Sequence, residues 1–103
     1  MQDLKLEKIK DSIVANYQPE KIILFGSRAR KNWNKDSDYD LLILKNTKKP
    51  SQYRIFDLMP HLPTDTSIDA IIYTPEEFQR GIKRNWSLIE EVLKEGKVVY
   101  EKA

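Results

Sequence analysis

Apolar positions fall along this chain in two periods. Leu6, Ile9, Ile13 and Tyr17 stand at helical spacing with Lys and Glu between them, which predicts an amphipathic helix over residues 3–16. Pro19 closes it, because the residue before a proline is pushed out of the helical region. Ile22 to Phe25 is a short unbroken apolar run, the pattern of a strand covered on both faces, and Gly26 ends it. A short helix is expected over 27–33, starting at Ser27, then a loop through Asn34–Ser37. Tyr39 to Leu44 is a second strand, apolar from Leu41 onward and therefore central. Asn46–Ser51 is a polar connection. Tyr53, Phe56 and Met59, three apart, favour a helix over 51–59, and 61–67 is a loop. Ile68 to Tyr73 is a third strand, with Asp69 near its start.

Thr74-Pro75-Glu76-Glu77 is a helix start: a capping threonine, a proline in the first turn and a capping-box glutamate. Ser87 and Glu90 repeat that signal for a last helix through Leu93. Gly96 stands where a helix end favours a left-handed residue, and Lys97–Tyr100 is a fourth, edge strand. The order α-β-α-β-α-β-α-α-β predicts an α/β (α+β) fold. A small mixed sheet of about four strands would be flanked by helices, within one domain over 1–103.

Composition narrows the class. Apolar residues make up 40% and charged residues 33% of 103, as in soluble globular proteins. The net charge of +2 is too small for a nucleic-acid footprint, so no direct nucleic-acid binding is expected. There is no cysteine, which excludes disulfides and thiolate metal sites and fits an intracellular, cytoplasmic protein. The charged segment MQDLKLEKIK is not a signal peptide, and no apolar run reaches the length of a membrane span.

The chemistry concentrates in residues 21–44. Strand residues two apart share a face, so Asp38 and Asp40 present two carboxylates side by side. Ionising both is costly unless a cation intervenes. Hard oxygen ligands suit Mg²⁺, which takes its remaining ligands from water and substrate phosphates. Asp69, entering a neighbouring strand, supplies a third carboxylate, and such a trio can hold two metal ions roughly 4 Å apart. Upstream, Gly26-Ser27 at a strand end lets the backbone approach a phosphate, with the Ser27 hydroxyl as donor. Arg28 and Arg30 are near enough to neutralise a triphosphate tail. Each feature alone has an ordinary structural explanation: a turn, a solvated Asp-x-Asp loop, surface charge. Together they point to metal-dependent transfer at phosphorus. Ser27 has no histidine partner for a hydrolase triad, and His61, the sole histidine, is expected at the surface. Trp33, Trp86, Tyr53 and Phe56 are read as core or interface. Arg80, Lys83 and Arg84 form a solvated helix face, and Asp36 is a loop residue.

The joined pattern resembles the minimal nucleotidyltransferases (MNT) of the DNA polymerase β-like superfamily. The resemblance rests on Gly26-Ser27, Asp38-Tyr39-Asp40 and Asp69, with the stretches GSRAR, DSDYDLLIL and SLIEEVLKEGKVVY. It implies Asp38, Asp40 and Asp69 as Mg²⁺ ligands, Asp69 assisting deprotonation of an acceptor hydroxyl. It also implies Gly26 and Ser27 on the β- and γ-phosphates of ATP, with Arg28 and Arg30 at positions commonly basic. Many minimal members have glycine after the second arginine. Lys31 stands there, so a different loop path is expected. Larger members add a helical acceptor-binding domain for which this chain has no length left, so the acceptor site is expected on another molecule. The resemblance implies a hetero-oligomer with a helical HEPN toxin, this chain being the antitoxin that transfers AMP from ATP to a HEPN tyrosine. Two alternatives stand beside it: an aminoglycoside-type adenylyltransferase subunit with a separate substrate-binding protein, and a non-catalytic antitoxin that neutralises by binding.

Overall fold

The computed structural model describes residues 3–103. In chain order the elements are α1 (Leu4–Tyr17), β1 (Lys21–Phe25), α2 (Ser27–Arg30), β2 (Tyr39–Leu44), α3 (Ser51–Leu58), a 3₁₀ turn (Met59–His61), β3 (Ile68–Tyr73), α4 (Pro75–Lys83), α5 (Ser87–Glu95) and β4 (Lys97–Glu101). The four strands form one mixed sheet in the order β3-β2-β1-β4. β1 runs antiparallel to β2 and β4, and β2 runs parallel to β3. The fold class matches the sequence expectation.

Alternation along the central strands builds two cores. Ile22, Leu24, Leu41 and Ile43 face α1 and α3, packing with Ile9, Ile13 and Leu58. Ile23, Phe25, Leu42 and Leu44 face α4 and α5, packing with Phe78, Ile89 and Val92. Burial on both faces is why β1 and β2 read as continuous apolar runs. Asp40 and Asp69 share strand parity with Leu42 and Ile71, so both carboxylates belong to the α4/α5 face. No helix among the described residues is long and apolar enough to cross a membrane.

Four local expectations change. Gly96 is extended (φ −69°, ψ 150°), not left-handed. Glycine is needed there for space, since a Cβ would fall 2.4 Å from the Val92 carbonyl oxygen and 2.8 Å from Ile23 Cγ2. Ser87 lies inside α5, whose cap position is Trp86 with no side-chain hydrogen bond. The Asn85 turn (φ 56°) and the packing of Trp86 set that entry instead. α2 stops at Arg30, because Lys31 turns left-handed (φ 67°, ψ 14°). The 61–67 loop is preceded by the 3₁₀ turn, which ends on His61 and is tied to α1 by Ser12 Oγ donating to the His61 carbonyl.

The capping box at Thr74 forms as the sequence predicts, and its glutamate does a second task. Arg54 is the only buried charged residue among those described. Its guanidinium donates to Glu77 Oε1 at 2.6 Å and Oε2 at 3.1 Å, to the Ile72 carbonyl at 3.2 Å and to the Lys49 carbonyl at 2.8 Å. One ion pair therefore joins α3, β3 and α4. The Arg54 hydrogen bond holds the Glu77 carboxyl below its ordinary value of 4.5; burial opposes the shift and the Thr74 amide adds to it. Removing one partner of such a pair leaves a buried charge behind, so Glu77→Gln is expected to cost about 2–4 kcal/mol in denaturant unfolding at neutral pH. A carboxylate depressed in the fold stabilises above its unfolded pKa and loses that contribution as pH falls through the folded value. The gap between parent and Glu77→Gln should be full at neutral pH and shrink as pH falls from the ordinary value of 4.5 through the lowered folded one. A gap that does not change with pH would show that the pair carries no linkage.

Candidate active site

The site begins with a backbone that only glycine fits. Gly26 has φ 73° and ψ −158°, and a Cβ there would fall 2.1 Å from Asp40 Oδ2. The absence of that Cβ lets the Asp40 carboxylate lie directly over the turn. After it the chain enters α2. The Ala29 and Arg30 amides donate back to the Gly26 carbonyl at 3.1 and 3.3 Å. The Ser27 and Arg28 amides, at the start of the turn, have no partner among the described residues. Two free amides and the half-buried Ser27 therefore stand next to the carboxylates.

Sheet register brings the acids together. Asp40 pairs with Phe25 across β1–β2 and lies directly opposite Asp69 across β2–β3. Asp38 precedes β2 by one residue and is exposed. Burial raises the Asp40 pKa, as do the charges of Asp69, Asp38 and Glu91, while Arg30 opposes them. Nothing in the spacing of the chain singles out Glu91. It lies on α5, and only the packing of α5 against the sheet brings it near Asp40. The signal available was an acidic pair four apart, Glu91 and Glu95, with nothing to say which face it served.

The two arginines separate. Arg30 is exposed and donates to Glu95 Oε2 at 2.9 Å, with Glu91 Oε1 at 3.9 Å. Its charge acts on Asp40. Arg28 was expected on the same footing, but its guanidinium is engaged elsewhere. It donates to the carbonyls of Ser37 at 3.0 Å and of Asn34 and Lys35 at 3.5 Å. It also lies against the Trp33 and Tyr39 rings, 4.4 and 4.0 Å from their centroids. The Tyr39 hydroxyl donates to Asp3 Oδ2 at 2.9 Å, and Asp3 also caps α1 through the Leu6 amide. Burial, then this bond, pushes the Tyr39 hydroxyl up to about 12, so it stays a donor at neutral pH. Arg28, Trp33, Tyr39 and Asp3 thus clamp the 34–37 loop that leads into Asp38. Trp33, read as core or interface, is half-exposed and covers Arg28. Lys31, expected to redirect the loop, adopts the left-handed conformation that a glycine would take without strain.

The donor set fits a hard divalent cation: carboxylates on adjacent strands, electrostatically unfavourable without compensation. Among the described residues no three such groups close into a ready-made cage. Water and phosphate oxygens would complete the shell, as Mg²⁺ prefers.

Residues 7–103 match the family described as polymerase beta nucleotidyltransferase. A Methanocaldococcus jannaschii protein named "putative protein adenylyltransferase" is 38% identical over 79% of this chain and 78% of its own length. A toxin–antitoxin structure with AMP-PNP superposes with a TM-score of 0.65 at 20% identity, covering 93% of this chain and 73% of that one. The MntA–HpeT toxin–antitoxin, as a variant with two aspartates two residues apart replaced by glutamate, gives a TM-score of 0.61 at 18% identity, covering 93% and 72%. At those identities the two structures show a shared fold.

The strain at Asp40 has a measurable consequence. A carboxyl whose folded pKa is raised stabilises the fold below its unfolded pKa, and that contribution is lost as pH rises through the folded value. At neutral pH in the presence of a chelator, the ionised group is therefore a burden. Asp40→Asn is expected to unfold later than the parent under those conditions, with the difference lost as pH falls through the raised folded value toward the ordinary 3.8. An Asp40→Asn protein less stable than the parent at neutral pH would contradict the repulsion argued here.

Proposed function

The chain belongs to the polymerase beta nucleotidyltransferase family, and from that premise we propose that it transfers AMP from ATP to a hydroxyl of a partner protein. The acceptor is a tyrosine of a helical HEPN toxin, and this chain is the antitoxin. The observation that carries the reading is Asp40 opposite Asp69 across β2–β3, directly over the Gly26–Ser27 turn. The name of the archaeal relative supports a protein acceptor, and the toxin–antitoxin structures support the pairing.

Each residue has a role. The free Ser27 and Arg28 amides and the Ser27 hydroxyl hold the β- and γ-phosphates, with Gly26 allowing the close approach. Arg30 adds positive charge beside the phosphates. Arg28 contributes by fixing the loop that carries Asp38. Asp38, Asp40 and Asp69 would hold two Mg²⁺ ions, which when bound supply charge neutralisation of the phosphates and Lewis acidity at the reacting phosphoryl group. The tyrosine oxygen attacks the α-phosphorus and forms the new P–O bond. The bond from that phosphorus to the oxygen bridging to the β-phosphorus breaks, and pyrophosphate leaves with the electron pair. The hydroxyl proton passes to a neighbouring carboxylate, with Asp69 as the candidate because it is the exposed one on the outer strand.

The test is transfer of labelled AMP from ATP to a HEPN protein, run beside a panel of aminoglycosides. The double variant Asp38→Asn/Asp40→Asn should lose at least about 10³-fold in transfer while remaining folded. Mg²⁺ should raise the unfolding midpoint of the parent and leave that of the double variant unchanged. Label on the aminoglycosides, or undiminished transfer by the variant, would overturn the assignment. Toxin neutralisation retained by the variant would favour contact alone.

A further inference from the structure

The β3 edge is open. β3 is the outermost strand and pairs only with β2. In a parallel ladder alternate residues direct both peptide groups to the neighbouring strand, and the residues between direct theirs away. The Tyr39 amide donates to the Ser67 carbonyl and the Lys45 amide to the Tyr73 carbonyl, so the odd-numbered residues of β3 face β2. Ile68, Ala70 and Ile72 therefore point their amides and carbonyls outward. The Ile72 carbonyl is taken by Arg54, which confirms the parity. The outward groups of Ile68 and Ala70 have no partner among the described residues.

An unpaired strand edge selects its ligand by chemistry: alternating N–H and C=O groups are matched by another extended backbone. The surroundings suit one. Along this edge runs a groove of about 400 Å³, with Met59, Leu62 and Ile55 on one side and Asp69 and Ala70 on the other. Beside it, α3 and the 3₁₀ turn after it expose an apolar stripe of Tyr53, Phe56 and Met59, each more than half exposed. Two of the usual protections of an edge, a proline or a lysine within the strand, are absent from Ile68–Tyr73.

Asp69 gives the edge a direction. Cross-strand partners project to the same face of a sheet. A residue of an added strand in register with Asp69 would therefore emerge on the α4/α5 face, where Asp40 and the Gly26–Ser27 turn lie. We infer that the β3 edge is the acceptor-docking site, on which an extended segment of the acceptor protein adds as a fifth strand. A hydroxyl-bearing side chain in register with Asp69 is thereby brought to the carboxylates. This inference rests on the proposed protein acceptor for its occupant and on the edge geometry for its place.

The experiment is amide hydrogen exchange with a short peptide of alternating threonine and valine, tyrosine at its centre and lysine at each end. A control peptide of the same sequence is N-methylated at alternate residues, which removes the backbone donors and keeps the tyrosine. In the free protein the Ile68, Ala70 and Ile72 amides should exchange fast relative to those of Asp69 and Ile71. Saturating peptide should slow Ile68 and Ala70 exchange at least about tenfold, and the N-methylated peptide should not. The inference is overturned if both peptides protect alike, if neither protects, or if the free protein already protects this edge by pairing with a second copy. Asp38→Asn/Asp40→Asn should show the same edge protection as the parent. Protection without AMP transfer in the parent would sink the transfer reading alone, and transfer without edge protection would sink the docking site alone.

Discussion

Like charges gathered on one face of a sheet have to be held there. Asp40 faces Asp69 across two strands, Asp38 lies two residues away and Glu91 approaches from α5. None of these groups gains from the others' company. What holds them is register: β2 is fixed by β1 on one side and β3 on the other, over six paired positions with β3. A one-residue slip would turn Asp40 toward α1 and α3 and carry Leu41 out of its core. Burying Leu41, Leu42 and Ile43 completely makes that slip prohibitive. The apolar run after Asp40 is thus the anchor that keeps a repulsive cluster in place.

Two other devices complete the hold. Gly26 removes the one carbon that would collide with Asp40, so the carboxylate and the Gly26–Ser27 turn occupy adjacent space. The Arg28 clamp fixes the loop before β2 with three carbonyls and two aromatic faces. Loops that carry function are normally the mobile part of a scaffold. Here the loop that delivers Asp38 is tied by a guanidinium to itself and, through Tyr39 and Asp3, to the start of α1. The first helix, remote in sequence from the acids, thereby supports their geometry.

Much of this was legible from the residues. Periodicity located every long element, because two-sided burial leaves an unbroken apolar run and one-sided burial leaves a helical stripe. The Gly-Ser turn, the Asp-x-Asp pair and Asp69 were readable as candidates because their spacing relative to strand ends fixes a face. Three features escaped. Gly96 reads as a left-handed helix stop, but its backbone is extended, and glycine is required by crowding against the Val92 carbonyl and against Ile23, which lies seventy-three residues earlier in the chain. Ser87 looked like a cap, yet tertiary packing of Trp86 moved the helix start by one residue. Glu91 and Glu95 were legible as surface acids but not as neighbours of the site, since that depends on which sheet face α5 covers. Sequence shows local chemistry and strand parity; it does not show which distant side chain meets them.

The division between Arg28 and Arg30 follows the same logic and bears on how a triphosphate could enter. Both arginines lie in one turn of helix, and spacing cannot rank them. Arg28 has a largely buried side chain, with its guanidinium hydrogen-bonded and lying over the Trp33 and Tyr39 rings. Releasing it would leave carbonyls and rings without their partner, a cost on the order of several hydrogen bonds at about 1 kcal/mol each. Arg30 is held by Glu95 and Glu91 in an exposed pair of the kind worth roughly 0–1 kcal/mol. A phosphate competing for Arg30 therefore displaces a weak contact and gains a charge-assisted one. The Glu91 carboxylate would then act on Asp40 without its cation, which raises the demand for positive charge at the acids when an anion is bound at Arg30. An anion taken up at Arg30 and a cation at the proposed ligands Asp38, Asp40 and Asp69 would therefore be coupled by electrostatics, through the charges that act on Asp40.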